Sequence, residues 1–283
     1  MSDNLNEQQI ALLKEIKIQT QRLLWLAIQQ DWQQQMQTPR YNDPRHLVPH
    51  GWKTYSQTDE DGIIAEIFRR IGTTNQRFIE FGTETGVECN TMNLLVQGWS
   101  GLWLDGSPQN IQAITDRLGP YQAAGQLTAA QAFITAENIN DLFTENGFTG
   151  EIDLLSIDID GNDYWVWQAI NVVKPRVVII EVNTIWRPPV SVVQPYHANY
   201  MWDGATNYFG ASLKALEKLG TIKGYSLVGV GYGGGNAFFV RNDLVNEERF
   251  LSPFTAEKHH EPPRFFFALM AGHPPGIGPL IEV

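Results

Sequence analysis

One cysteine in 283 residues, Cys89, leaves no partner for an internal disulfide and too few thiolates for a multi-cysteine metal site. That fits a reducing compartment, and the cytoplasm is the expected home. Charge is scarce at 18% of residues, and basic charge is the scarcer kind: 20 Lys and Arg against 31 Asp and Glu leave a formal charge of −11. A surface so anionic repels a phosphate backbone, which argues against nucleic acid as a partner. Long apolar runs are missing too. Stretches such as Val177 to Ile180 are far too short to cross a bilayer, and the start lacks a charged segment followed by an apolar one, so neither secretion nor membrane insertion is expected. The pattern G-x-x-x-x-G-K-[ST] is absent, which excludes a P-loop enzyme. No tyrosine is followed four residues later by a lysine, which argues against a short-chain dehydrogenase.

What is present is enough for a large core: 43% of the residues are hydrophobic and 11% of the chain is aromatic. From Leu5 to about Gln37 there is no glycine or proline, and Ile10, Leu13, Ile16, Leu23, Leu24 and Ala27 recur at helical spacing, predicting a long N-terminal helix. Its irregular heptads favour packing on its own domain, with a helix pair in a homodimer as the alternative. Three prolines between Thr38 and Tyr55 then predict an irregular linker. The reading divides the chain into a helix and linker (1–55), a main domain (56–244) and a tail (245–283), in which His259 and His260 read as surface residues.

The main domain begins with a helix over Ser56 to Arg70, after which short apolar strands alternate with helices: RFIEFG, GLWLDG, a weaker QAFIT, EIDLLSIDID and RVVIIEVN. Continuous apolarity predicts parallel strands covered on both faces. After a helix at Ala211 to Leu219, YSLVGVG and NAFFVR are separated only by YGGG and predict an antiparallel hairpin. Five parallel strands finished by a hairpin is the strand plan of the class I methyltransferase, a Rossmann-like α/β sheet, here with an added N-terminal helix.

Ligands of such sheets bind beyond the carboxyl ends of the strands, and those ends are acidic here. The first reads Glu80, Phe81, Gly82, Thr83, Glu84, Thr85, Gly86. Its glycines permit a tight turn and close backbone approach, but its glutamates would repel a pyrophosphate and the spacing is not G-x-G-x-x-G. A cationic ligand such as S-adenosylmethionine suits it, the ammonium held by a carboxylate. Asp105, ending the second strand, stands where an acid takes a ribose diol, or else caps the next helix. Phe133 to Glu137 marks the third exit, where an adenine would lie. Asp158, Asp160, Asn162 and Asp163 crowd the fourth exit, and Glu181 and Asn183 end the fifth. Asp158, Asp160, Glu181 and Asn183 are the candidate ligands of a hard cation such as Mg²⁺; without a metal, Asp158 or His197 is the candidate general base. The aromatic segment from Thr184 to Tyr208 suits a polyhydroxylated acceptor or simply packs on the core. Cys89 is expected to be buried, not reactive.

The pieces SQTDEDGI, FIEFGTETGVECNT, GLWLDGSPQNI, DLLSIDIDGNDYWVW, VVIIEVN and YFGASLKALEKLGTIKGYSLVG leading to NAFFVRNDL occur in an order and spacing that resemble the FkbM-like branch of S-adenosylmethionine-dependent methyltransferases, and also the metal-assisted macrolide-sugar O-methyltransferases. The resemblance spans Ser56 to about Leu244. It implies methyl transfer from S-adenosylmethionine, commonly to a hydroxyl of a sugar or sugar-bearing metabolite. It places Glu80, Gly82, Gly86 and Asp105 on cofactor positions and Asp158 on the acidic position after the fourth strand. In catechol-type relatives an adjacent acid and amide after the fifth strand complete a metal site; here Val182 separates Glu181 from Asn183. Two other classes compete. Asp158-Ile159-Asp160 is a D-x-D, as in metal-dependent glycosyltransferases, and any fold of this kind can serve as a non-catalytic binding or assembly protein.

Overall fold

The computed structural model describes residues 2–268 and 272–283. A helix α1 (Ser2–Met36) precedes the domain, which starts with α2 (Glu60–Ile71). Strands and helices then alternate: β1 (Arg77–Phe81), α3 (Met92–Val96), β2 (Ser100–Asp105), α4 (Pro108–Ala123), β3 (Leu127–Gln131), α5 (Ile139–Glu145), β4 (Gly150–Ile157), α6 (Asp163–Ala169) and β5 (Val173–Glu181). The short β6 (Val192–Val193), α7 (Leu213–Lys223), the hairpin β7 (Tyr225–Val230) and β8 (Asn236–Arg241), α8 (Ala256–His259) and β9 (Ile281–Glu282) complete the chain.

The main sheet has the order β3-β2-β1-β4-β5-β8-β7. Its first five strands are parallel, and β8 inserts antiparallel between β5 and β7. Successive strand residues point to opposite faces, and both faces are covered. Ile79, Phe81, Leu155 and Ile180 pack with α5, α6 and α7 on one side. Phe78, Trp103, Leu154 and Val177 pack with α2, α3 and α4 on the other. Two-sided burial is why these strands read as continuous apolar runs. The chain winds outward in one direction from β1 and in the other from β4, so their diverging carboxyl ends open a crevice.

Three expectations need correction or refinement. The third strand is Leu127–Gln131, ending where QAFIT begins; its register is set by the ladder to β2, with Gly101 paired to Leu127 and Asp105 to Gln131. The segment before α2 is irregular, with two 3-10 turns, and it is packed against the body through the buried Tyr41, His46, Leu47 and Val48. In α1 only the C-terminal part reaches the body, through Leu24, Ile28, Trp32 and Met36, while every described residue from Gln8 to Leu23 is exposed. A helix of 35 residues is about 50 Å long, more than this domain can cover from one anchoring point.

The tail is knitted into the fold. Phe250 and Glu261 are fully buried, and Glu261 accepts hydrogen bonds from Arg40, Tyr41 and Arg264. His259 is buried as well, contrary to its sequence reading, and burial lowers its pKa to about 3. His260 is partly buried and lies 3.0 Å from the Thr184 carbonyl.

Candidate active site

The crevice is a cleft of about 440 Å³ at the carboxyl ends of β1, β2, β4 and β5. Its shape begins with Gly82. At φ 75° it passes so close to the end of β4 that a Cβ would stand 1.5 Å from the Asp158 carbonyl oxygen, so no other residue fits. Gly86 is also left-handed, but a Cβ there would meet the Trp103 ring at 2.6 Å. Gly86 therefore serves packing and does not line the cleft.

The carboxylates of the first two exits are anchored to the protein. Glu80 accepts from the Asn90 and Thr91 backbone N–H groups at 2.8 and 2.9 Å, and from the Thr91 and Ser156 hydroxyls. Burial nevertheless raises its pKa above the usual value, against those hydrogen bonds. Asp105 accepts from the Ser107 N–H and Asn110 Nδ2 on Oδ1, and from the Glu84 N–H on Oδ2, at 2.8 to 2.9 Å. It thus holds the start of α4 and the glycine turn together while still facing the cleft. Glu84, exposed at φ 47°, offers the free carboxylate of this turn.

The other pair of exits is different. Carboxylate oxygens of Asp158, Asp163 and Glu181 lie within 4.8 Å of one another. Asp163 accepts from the Ile159 and Gly161 N–H groups, both at 2.8 Å. Glu181 Oε2 is buried without a hydrogen-bond partner. Desolvation, then the neighbouring acids Asp160 and Asp163, push Asp158 well above the ordinary carboxylate range. Desolvation followed by Asp158 does the same to Glu181. Desolvation also raises Asp163. Burial and their mutual repulsion favour the protonated form of each.

This grouping differs from the sequence-based one. Asp163 joins the cluster. Asp160 sits on the exposed rim at φ 54°. The side-chain amide of Asn183 donates to the Asn207 and Phe209 carbonyls at 2.9 and 3.0 Å, which ties down the loop after β5 instead of facing the carboxylates. His197 is exposed and outside the cleft, and its carbonyl accepts from Asn162 Nδ2 and the Tyr200 N–H. Phe133 is 45% exposed and beside Gly106, at the margin, not in the lining. Cys89 is buried in the wall, and burial pushes its thiol pKa up, away from reactivity.

Much of the wall was not legible beforehand. Glu60 and Thr58 enter from the start of α2, Gly233 to Gly235 from the hairpin turn, and Arg264, Phe265 and His273 from the tail. Trp202 meets His273 edge-on at 4.7 Å and Phe209 at a tilt at 5.0 Å, and these rings give the cleft an aromatic wall. Arg264 is the one Lys or Arg among the lining residues, and it is committed to Glu261 and the Tyr232 carbonyl. The cleft is therefore electronegative. No helix among the described residues is long and apolar enough to cross a membrane.

No curated protein matches the chain in sequence. Among solved structures, the methyltransferase domain of bacterial CtHen1-C aligns at 14% identity over 65% of this chain and 97% of its own, with a TM-score of 0.41. The glycopeptide N-methyltransferase MtfA complexed with sinefungin aligns at 13% identity over 65% and 87%, also at 0.41. M. capricolum TrmK in complex with S-adenosyl-homocysteine aligns at 11% over 62% and 65%, at 0.36. In sequence, the methyltransferase FkbM domain matches residues 63–220, more than half of the chain, which therefore belongs to the FkbM methyltransferase family.

Proposed function

We propose that this protein transfers a methyl group from S-adenosylmethionine to a hydroxyl of an uncharged, polyhydroxylated small molecule, a sugar or a glycosylated metabolite. The observation that carries the proposal is the cluster Asp158, Asp163 and Glu181 at the floor of an aromatic-walled, electronegative cleft. Acids there receive protons and hydroxyl donors and disfavour anionic acceptors, while Trp202 offers the flat apolar face on which sugar C–H groups pack.

The cofactor fits the other half of the cleft. Gly82 removes the side chain that would block backbone approach, Asp105 keeps acceptor capacity towards a ribose diol, and Glu84 is free for an ammonium. S-adenosylmethionine supplies an electrophilic methyl. The chain's part is to hold the acceptor hydroxyl in line with it and to take the hydroxyl proton on Asp158 as the C–O bond forms and the C–S bond breaks. Positioning of this kind is worth roughly 7 to 11 kcal/mol. Asp158, Asp163 and Glu181 also have the donor set to hold a hard divalent cation such as Mg²⁺, which would acidify a bound hydroxyl.

The D-x-D alternative is the weaker one, because the acids that converge are Asp158, Asp163 and Glu181, while Asp160 lies at the exposed edge of the same cleft. The test is calorimetric titration of chelator-treated protein with S-adenosylmethionine and its demethylated product, followed by mass spectrometry of mono- and disaccharide acceptors incubated with both. Adenosyl binding with gain of one methyl on an acceptor hydroxyl is expected. Binding without transfer would favour a non-catalytic role, and heat only from nucleotide sugar with metal would favour glycosyl transfer.

A further inference from the structure

The N-terminal helix carries two opposed apolar stripes, and the body covers only one. Leu24, Ile28, Trp32 and Met36, four residues apart, face inward; Ile28 is 5% exposed, and the Trp32 ring packs 4.8 Å from Tyr232 and 5.8 Å from Phe267. On the other side Leu12, Ile16, Gln19, Leu23 and Leu26 follow one another at intervals of four, three, four and three residues. This is the spacing of a coiled-coil seam. At about 100° per residue its centre lies roughly 160° around the helix from Ile28. Leu12, Ile16, Leu23 and Leu26 are 57, 52, 68 and 59% exposed.

The exposed stripe of α1 is a contiguous apolar patch. Eight large apolar side chains from Ile10 to Leu26 stand at 46 to 68% exposure. Four of them, Leu12, Ile16, Leu23 and Leu26, lie on the seam and together offer on the order of 400 Å², the size at which an apolar patch on a monomer is often functional.

The pattern also identifies the occupant. It is nearly symmetric about Gln19, with Leu12 and Leu26 seven residues to either side and Ile16 and Leu23 three and four residues away. Two charges flank the seam on one edge, Glu15 before the centre and Arg22 after it, both exposed. In an antiparallel pair of identical helices, Leu12 meets the partner's Leu26, Ile16 meets the partner's Leu23, Gln19 meets the partner's Gln19, and Glu15 lies beside the partner's Arg22, twice over by symmetry. A parallel pair sets Glu15 and Arg22 opposite the uncharged Thr20 and Ala27 edge and gains no ion pair. We propose that α1 joins two copies of this chain through an antiparallel helix pair centred on Gln19.

This surface is separate from the cleft, so its fate does not depend on the activity. It nevertheless stands on a shared support: Asp31 near the end of α1 accepts the hydroxyl hydrogen bond of Tyr232, and Tyr232 precedes the hairpin glycines that line the cleft.

The experiment uses the full chain. Light scattering and sedimentation at tens of micromolar should give twice the 32.0 kDa of one chain. Leu23→Glu with Leu26→Glu should give a monomer with an unchanged thermal midpoint of the body, since both side chains are exposed. Glu15→Arg or Arg22→Glu alone should weaken the dimer about tenfold, and the double exchange should restore it, because the pairs reform with signs reversed. Gln19→Cys should crosslink to itself on mild oxidation, the only other thiol, Cys89, being buried. Leu12→Cys should not, because the partner's Leu12 lies about 20 Å further along. A monomeric wild-type chain, or an unchanged mass in the double glutamate variant, would overturn the proposal. Ready self-crosslinking of Leu12→Cys without charge rescue would overturn the antiparallel arrangement. A monomer that co-sediments with phosphatidylcholine–phosphatidylglycerol vesicles would give the stripe to a lipid surface instead.

Discussion

Carboxylates stand at the ends of four neighbouring strands, yet they fall into two kinds. Glu80 and Asp105, at the first and second exits, have both oxygens occupied by N–H or O–H donors of the protein. Asp158 and Glu181, at the fourth and fifth, face each other with Glu181 Oε2 unpartnered. Burial is costly for both kinds, but hydrogen bonds offset it in the first, while like charges add to it in the second. The first kind builds the cleft. The second is left unsatisfied by the fold, and groups left so are the ones that chemistry can use.

The largest effect should come from the unsatisfied kind. Asp158→Asn keeps the shape and removes the base, so turnover is expected to fall about 10³-fold, within the range of general-base loss, while S-adenosylmethionine affinity changes little. Activity within tenfold of wild type would erase the distinction drawn between the two pairs. Glu80→Ala should do the reverse. It strands the Asn90 and Thr91 N–H donors in the core and is expected to destabilise the protein by about 3 kcal/mol, read by denaturant unfolding. Asp105 tests the boundary, since it is anchored yet faces the cleft. For Asp105→Ala we expect about tenfold weaker cofactor binding by calorimetry and about 1 to 2 kcal/mol of lost stability from the freed α4 start. Lost stability with unaltered affinity would assign it wholly to the anchoring kind.

The acidic strand ends were legible in the sequence because strands buried on both faces are unbroken apolar runs, and a charge at the end of one stands out. Which kind each acid belongs to was not legible. Glu80 is satisfied by residues 90 and 91, ten positions on and across a turn whose path no local pattern announces. Asp163 reads locally as a helix cap, but it is the first residue of α6 and holds the preceding turn through the Ile159 and Gly161 N–H groups; only the meeting of β4 with β5 makes it part of the cluster. The third strand was displaced because apolarity favoured Phe133 and Ile134, whereas register follows the hydrogen-bond ladder to β2. Arg264, Phe265 and His273 were missed for a different reason: the tail reaches the cleft by a long-range return, tied by β9 to β6 and by Glu261 to Arg40, and carries no period of its own.

The smallest effect, and the sharpest on the second kind of carboxylate, is the pH dependence of stability in chelator-treated protein. Asp158, Asp163 and Glu181 all have raised values in the folded state, so the fold binds their protons more tightly than the unfolded chain does. Their contribution is complete below the ordinary carboxylate range, near pH 4, and is lost as pH rises through the raised values. The wild-type thermal midpoint should therefore decline between about pH 5 and pH 8 through this cluster. Glu181→Gln removes one of the three charges and gives the empty Oε2 position a neutral amide. The variant should equal wild type near pH 5 and exceed it by on the order of 1 kcal/mol near pH 8. Its advantage should grow with pH because only the wild type is forced to ionise a third buried acid. Parallel curves for the two proteins would mean that Glu181 carries no raised value, and would remove it from the unsatisfied kind.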